Sequence, residues 1–173
     1  MSYRLNDEEA AVQKCVRDFA LRELAPLVSE AEASGRFPRD SVLPRLAELG
    51  LLAIGVPESL GGSGGGSLLH CVVAEEIARV SGGFAIGAMA SILSPAVLVR
   101  LQGDRPNLAL LEPLMAGQIL PALAFTEPRG GSDLAGMTTT ATKTEGGVLL
   151  RGQKTFISNG PTADAFLVAA VRA

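Results

Sequence analysis

An uninterrupted run of uncharged residues constrains the fold of this chain more than any other feature. It covers nineteen positions, from Ser81 to Val99, which is close to the length that a helix needs to span a membrane. The run contains three glycines, three serines and a proline, however, and no aromatic belt flanks it. These features favour a buried helix of a helical domain, broken or kinked at Pro95 and ended near Gly103.

The first two thirds of the chain show helical spacing and helix boundary signals. Asn6 and Glu9 predict a capping box at the start of a first helix. A second helix is expected within residues 38–50, where a proline opens the segment and a glycine closes it. A short helix is expected over residues 108–115. We therefore predict an all-helical domain over residues 1–120.

The glycine-rich stretch 61–66 separates two of these helices. It fits neither glycine-rich phosphate-binding motif, because no strand precedes it and no Lys-Ser or Lys-Thr pair follows it. We interpret it as a flexible connection to a helix that is capped by Ser67. The spacing of that helix predicts that Glu75, Glu76 and Arg79 face outward.

The character of the chain changes near residue 120, where β-branched residues and turn signals replace the helical spacing. A run of β-branched and polar residues covers 138–143. Strands are predicted at residues 148–151 and 165–171, an extended segment at 154–157, and turns at 145–147 and 152–153. The predicted fold class is α+β. An N-terminal all-helical bundle is followed by the start of an antiparallel β-barrel-like domain at residues 121–173.

The composition argues against several classes of function. Hydrophobic residues make up 47% and charged residues 19% of the 173 positions, which is enough for a buried core and excludes a disordered tail. The formal net charge of -3 provides no overall basic surface for nucleic acid, and the aromatic content of 4% provides few stacking platforms. We expect no nucleic-acid partner, although the composition is compatible with a local basic patch.

Residues that ligate metals or form disulfides are sparse. Cys15 and Cys71 are too few for a disulfide framework or a zinc site, and we interpret them as small buried residues in a reducing cytosol. His70, the only histidine, has no second ligand in view and is expected to be structural. The first ten residues contain no apolar signal-peptide core. We expect a cytoplasmic location, no metal site and no membrane association.

Two later segments contain residue types that suit cofactor binding. The first, at residues 123–133, ends a strand in a Pro-Gly-Gly turn whose amides and Ser132 hydroxyl can point at an anion, although a solvated loop is equally compatible. The second, at residues 152–164, combines an aromatic residue, a hydroxyl and an Asn-Gly turn. On an extended strand, Phe156 and Ser158 share one face, which suits packing on a planar ring and a hydrogen bond to its edge.

The segment FTEPRGGSD, followed about twenty residues later by GQKTFISNGPTAD, resembles the flavin-binding motifs of the acyl-CoA dehydrogenase family. Upstream, FPRDSVLPRLAELGLLAIGVPESLGG and AEEIARVSGG agree with that family in order and spacing. The resemblance implies FAD as the cofactor. It implies that FAD contacts Leu123, Phe125, Thr126, Gly131, Ser132, Phe156, Ile157 and Ser158. Ser132 would also contact the acyl-thioester substrate, Ser158 would bond near flavin N5, and many members have Trp at the position of Phe156.

The resemblance also implies a reaction, the α,β-dehydrogenation of an acyl thioester. The thioester is either acyl-CoA or an acyl group bound to a carrier protein. A carboxylate base removes the α-proton, and the β-hydrogen leaves as hydride to the flavin. No carboxylate here matches the family's base, and Glu127 belongs to the flavin loop, so we name no catalytic residue. In the family the base lies in a C-terminal helical domain.

We expect that domain to be absent from this chain and to come from a complementary chain or from a longer native chain. The resemblance further implies an oligomer and an acceptor of the electron-transfer flavoprotein type. Two alternatives stay open. The chain is either a non-catalytic structural subunit of the same fold, or part of a dehydrogenase that acts on thioesters bound to a carrier protein.

Overall fold

The computed structural model describes residues 4–103 and 106–172 of the chain, with helices first and strands after them. The α-helices are α1 (Asp7–Phe19), α2 (Val28–Ser34), α3 (Arg39–Glu48), α4 (Ser67–Ala78), α5 (Gly82–Gln102) and α6 (Leu108–Met115). The strands are β1 (Pro121–Ala124), β2 (Thr140–Thr144), β3 (Gly147–Arg151), β4 (Ala165–Val168) and β5 (Val171–Arg172). This order confirms the α+β fold class and the helices predicted within residues 38–50 and 108–115.

Side-chain caps are present at the starts of α1 and α5. At the start of α1, the backbone N–H of Glu9 donates to the Asn6 side chain at 2.8 Å, and the N–H of Asn6 donates to the Glu9 carboxylate at 2.8 Å. The predicted capping box is therefore confirmed. The predicted cap of α4 is wrong, because Gly66 is the N-cap residue and Ser67 is already helical. No side chain caps that helix.

Helix α5 is the central core helix. It runs through Pro95 without a break and ends at Gln102, so a break at Pro95 is wrong and the predicted end near Gly103 is confirmed. By length and composition α5 is apolar enough to cross a membrane, with a mean hydropathy of 1.8 over its most apolar window. More than half of that window is buried. Since α5 packs against α4, α6 and β1, its burial agrees with the core helix that the sequence predicts.

The helices share one main apolar core and a smaller second one. Fully buried side chains from α1, α3, α4 and α5 meet in the main core, among them Val16, Leu46, Ile77 and Ile92. The second cluster joins the end of α5 to α6 and contains Val56, Leu98, Leu111 and Leu114. Burial of these side chains is the main favourable contribution to folding of the helical part.

Two predictions about which side chains of α1 and α4 are exposed to solvent are wrong. Glu76 does not face outward, because its side chain is 0% exposed and accepts two hydrogen bonds from the Arg17 guanidinium at 2.7 and 2.8 Å. These bonds lower the pKa of the Glu76 carboxyl. Cys15 and Cys71 are exposed, not buried. Each cysteine lies one residue before a buried valine, Val16 or Val72. Because successive residues are rotated by about 100° around a helix axis, the cysteine points away from the buried side.

Residues 61–64 of the glycine-rich stretch form hydrogen-bonded turns. The N–H of Gly55 donates to the carbonyl of Gly64 at 2.6 Å, and the N–H of Gly64 donates to the carbonyl of Val56 at 2.9 Å. A Cβ atom at Gly62 would lie 2.0 Å from the carbonyl oxygen of Val56. Glycine is therefore required at this position because two backbone segments touch there.

The strands form a two-stranded and a three-stranded sheet. Strands β2 and β3 form the predicted antiparallel hairpin, but β1 pairs with β4 and β2 pairs with β5 in parallel. The antiparallel prediction therefore holds for one pair only. The apolar segment predicted as one strand over residues 165–171 divides into β4 and β5, which pair with different partners. Each sheet thus contains one pair of strands that are far apart in the chain.

An ion pair joins the helical part to the strands. The guanidinium of Arg39, at the start of α3, donates to the carboxylate of Asp164 and to the carbonyl of Thr162. Asp164 also accepts a hydrogen bond from the N–H of Leu120 at 2.8 Å and donates its own N–H to the Leu120 carbonyl at 2.9 Å. Arg39 first, and then the Leu120 N–H, lower the pKa of the Asp164 carboxyl. The residues before β4 are therefore fixed against α3 and β1.

Candidate functional site

The first candidate segment follows directly from β1, whose residues are largely buried beneath α5. After Phe125 and Thr126 the chain reverses, because Glu127 and Gly130 exchange two backbone hydrogen bonds of 3.0 Å each. Arg129, at the corner of this turn, is exposed. A Cβ atom at Gly131 would lie 3.2 Å from Cγ2 of Thr126, so glycine lets the chain pass close to this side chain.

Glu127 is the buried centre of this segment. Its carboxylate accepts hydrogen bonds from the N–H and the hydroxyl of Thr138, both at 2.7 Å, and from the N–H of Thr139 at 2.8 Å. The Lys154 ammonium donates to the same carboxylate and to the carbonyl of Phe125, both at 2.9 Å. Hydrogen bonds from Thr139 and Thr138, together with Lys154, hold the pKa of the Glu127 carboxyl well below its usual range. This carboxylate is therefore an ionised structural hub.

The second candidate segment, residues 152–164, forms no strand over residues 154–157, where the sequence predicts an extended stretch. Phe156 has a φ angle of +54°, which lies in the left-handed region and interrupts strand alternation. The shared face of Phe156 and Ser158 therefore does not arise from strand geometry. The N–H of Thr155 donates to the carbonyl of Thr126 at 3.0 Å, which joins the two segments. The Phe156 side chain is 91% exposed.

A cavity of about 300 Å³ lies between this second segment and the helices. Its lining includes Phe37, Phe84, Ile86 and Gly87 on the helical side and Ser158 and Asn159 on the other. The rings of Phe37 and Phe84 pack edge to face, with centroids 6.0 Å apart. The side-chain amide of Asn159 donates to the carbonyl of Gly87 at 2.9 Å, so the segment is bonded to α5 at the cavity wall.

The predicted site residues differ in exposure. Leu123, Phe125, Thr126, Gly131 and Ile157 are half-buried, whereas Ser132, Phe156 and Ser158 are exposed. The structure brings Phe125 and Thr126 next to Lys154 and Thr155, as a site built from both segments requires. The contacts of the predicted residues with a cofactor stay a prediction.

Comparison with known proteins assigns the chain to a family. The family model described as acyl-CoA dehydrogenase, N-terminal domain, matches residues 6–118, and the model for the middle domain of the same family matches residues 122–173. The chain belongs to the acyl-CoA dehydrogenase family. This acyl-CoA dehydrogenase family chain spans less than half the length of the curated relatives that it matches.

One relative and two solved structures illustrate the similarity of this acyl-CoA dehydrogenase family chain. The Caffeyl-CoA reductase-Etf complex subunit CarC of Acetobacterium woodii is 38% identical over 165 residues, which are 92% of this chain and 42% of the relative. Butyryl-CoA dehydrogenase from Megasphaera elsdenii has a TM-score of 0.81 at 32% identity and covers 97% of this chain and 45% of its own. The FAD complex of PigA has a TM-score of 0.82 at 27% identity, with coverages of 97% and 44%.

Sequence reasoning missed the residues that hold the two segments in place. Lys154 received no role, although it is the only cation of the motif at residues 152–164. Its partner Glu127 precedes it by 27 positions, and Asn159 reaches a carbonyl 72 positions earlier. Only the charge of Lys154 was a usable signal, because a buried lysine needs an anionic partner.

Proposed function

We propose that this chain forms one side of the FAD site and part of the substrate pocket of a flavin-dependent acyl-CoA dehydrogenase. The proposed reaction is the α,β-dehydrogenation of an acyl thioester. One observation carries the proposal: Ser158, two residues after the exposed ring of Phe156, lines a largely apolar cavity of about 300 Å³. Such an arrangement suits a planar ring next to an aliphatic chain.

The residues of the two segments fit a flavin. The exposed ring of Phe156 offers a surface for a planar ring system, and the exposed hydroxyl of Ser158 offers a hydrogen bond to its edge. The hydroxyl of Ser132, beside the compact turn at Gly131, suits the phosphates. When bound, FAD supplies the acceptor for the hydride. The FAD complex of PigA, which shares the fold, supports this assignment.

In this proposal the residues of this chain bind and orient FAD and the thioester. The base that removes the α-proton is not assigned to any of them. A general base needs a carboxylate that is free to accept the α-proton. Glu127 does not meet this need, because its carboxylate already accepts four hydrogen bonds. Removal of the α-proton also requires hydrogen bonds to the thioester carbonyl, where negative charge develops.

The partners belong to the same proposal. The relative that is a subunit of a reductase-Etf complex supports an electron-transfer flavoprotein as the electron acceptor. Further proposed partners are an acyl-CoA or acyl-carrier thioester and further copies of the protein in an oligomer. A complementary polypeptide that provides the C-terminal part of the family's fold is also proposed. A cytoplasmic location remains part of the proposal. The proposed alternatives are a structural subunit without catalysis and a dehydrogenase specific for carrier-bound thioesters.

Flavin binding by the chain tests the proposal. We expect FAD to bind, with an absorbance shift on titration, and Ser132→Ala and Ser158→Ala each to weaken binding about fivefold, because each loses one neutral hydrogen bond of about 1 kcal/mol. Ser29→Ala, an exposed serine on α2, is the matched control and should bind like the wild type. Unchanged affinity in both site variants refutes the assignment. Absence of any FAD binding favours the structural-subunit alternative.

A further inference from the structure

Phe156 combines two properties that disfavour its conformation in an isolated chain. Its φ angle of +54° places a bulky side chain in the left-handed region, where sterics penalise residues other than glycine. Its ring is 91% exposed, so burial of the side chain does not offset that penalty. Interactions of neighbouring residues must therefore hold the backbone here.

The first anchor lies two residues before Phe156. The ammonium of Lys154 bonds the Glu127 carboxylate and the Phe125 carbonyl, both at 2.9 Å, and its side chain is only 11% exposed. The N–H of Thr155 donates to the carbonyl of Thr126 at 3.0 Å. Because the remaining bonds of Glu127 come from Thr138 and Thr139, this anchor is itself held by a third segment of the chain.

The second anchor lies just after Ser158. Asn159 adopts a φ angle of +62°, which asparagine tolerates better than most residues. Its side-chain amide donates to the carbonyl of Gly87 in α5 at 2.9 Å. The N–H of Gly160 donates to the carbonyl of Ile157 at 3.0 Å and closes the turn. Residues 156–158, of which Phe156 and Ser158 are exposed, are thus held by hydrogen bonds of their neighbours on both sides.

We propose that Lys154, held by Glu127, and Asn159 are positioning residues that preorganise Phe156 and Ser158 before the flavin binds. The inference rests on the proposed function, since it names what the two anchors prepare the segment for. Preorganisation raises affinity because the ordering cost is met during folding and not during binding. Lys154 acts through the backbone of its neighbours and needs no contact with the cofactor.

The first experiment uses no flavin. The chain contains no tryptophan, so Phe156→Trp introduces a unique fluorescent reporter. In that background we expect Lys154→Met to lower the tryptophan anisotropy and to raise amide exchange about tenfold at Thr155 and Gly160, whose N–H groups are hydrogen-bonded. Lys154→Arg should restore both values, and Lys143→Met, at an exposed lysine on β2, should change neither. Unchanged anisotropy and exchange in Lys154→Met overturn the proposal.

A second variant covers failure of Lys154→Met to fold. Asn159→Gly keeps access to the left-handed backbone and removes the amide donor to Gly87. An increase in amide exchange at Gly160, whose N–H is bonded to the Ile157 carbonyl, supports the proposal, and unchanged exchange overturns it.

The second experiment adds FAD to the same variants. Lys154→Met should bind FAD about tenfold more weakly, whereas Ser158→Ala should weaken binding without any change in amide exchange. Equal FAD affinity of the wild type and Lys154→Met overturns the positioning role. A wild-type chain that does not bind FAD refutes the proposed function, while the exchange data still decide whether the anchors hold the segment.

Discussion

Gly87 offers a sharp test of packing at the cavity wall. It is buried in α5, and a Cβ atom there would lie 2.6 Å from Cδ2 of Phe37 and 3.1 Å from two further atoms of that ring. The Phe37 ring packs edge to face on Phe84, so it does not move away without loss of that contact. The substitution Gly87→Ala therefore forces the ring of Phe37 out of its place.

Two opposing contributions set the size of the effect. Alanine in a helix interior is favoured over glycine by about 1 kcal/mol, whereas overpacking a core costs about 1–3 kcal/mol. The net expectation for Gly87→Ala is a loss of about 1 kcal/mol in the free energy of unfolding. Gly83→Ala in the same helix is the control, because its Cβ would meet only Oγ of Ser81 at an ordinary 3.6 Å. That variant should be no less stable than the wild type.

Urea and thermal unfolding of the two variants measure the difference. For a chain of this length, a loss of about 1 kcal/mol lowers Tm by about 2–4 °C. In a Phe37→Ala background the clash is absent, so Gly87→Ala should become stabilising by about 1 kcal/mol. The reasoning is refuted if Gly87→Ala is as stable as Gly83→Ala, or if its effect is the same in both backgrounds.

Three further predictions concern the helical part. Gly66→Ser should raise the free energy of unfolding by about 0.5–1 kcal/mol, because the extended N-cap of α4 gains a side-chain cap and the unfolded chain loses freedom; an unchanged urea midpoint contradicts this. Arg17→Met should destabilise the chain more at pH 7 than at pH 3, and urea unfolding at several pH values measures the difference. Because the pKa of the Glu76 carboxyl is depressed, the ion pair stabilises the fold above about pH 4.5 and less so as the pH falls. Gly62→Ala should cost about 3 kcal/mol, because its Cβ would lie 2.0 Å from the Val56 carbonyl oxygen, and calorimetry that shows an unchanged Tm refutes it.

Features set by neighbouring residues were predictable from the sequence. The capping box of Asn6 and Glu9, the helix within residues 38–50 and the hairpin turn at residues 145–147 all depend on groups a few positions apart. Their signals are therefore present in any short window of the sequence. The fold class followed from the change of pattern near residue 120.

Features set by distant partners were not predictable in this way. Parallel pairing of β1 with β4, the burial of Glu76 against α1 and the positive φ angle of Phe156 each depend on contacts across many positions. At the candidate site, the motif letters indicate residues 123–132 and 156–158, but nothing in them shows that Glu127 and Lys154 join the two segments. A single sequence contains the charges of such a pair without its geometry.

The bond between Leu120 and Asp164 has a consequence for the order of folding events. The two residues are 44 positions apart, and the parallel pairing of β1 with β4 closes the same long loop. Loop closure of this size costs entropy before any contact repays it, whereas the β2–β3 hairpin and the helices form from local contacts. We therefore expect the two candidate segments to meet late, after the rate-limiting barrier. A molecule that binds across them should then lengthen the lifetime of the folded chain and leave its rate of formation nearly unchanged.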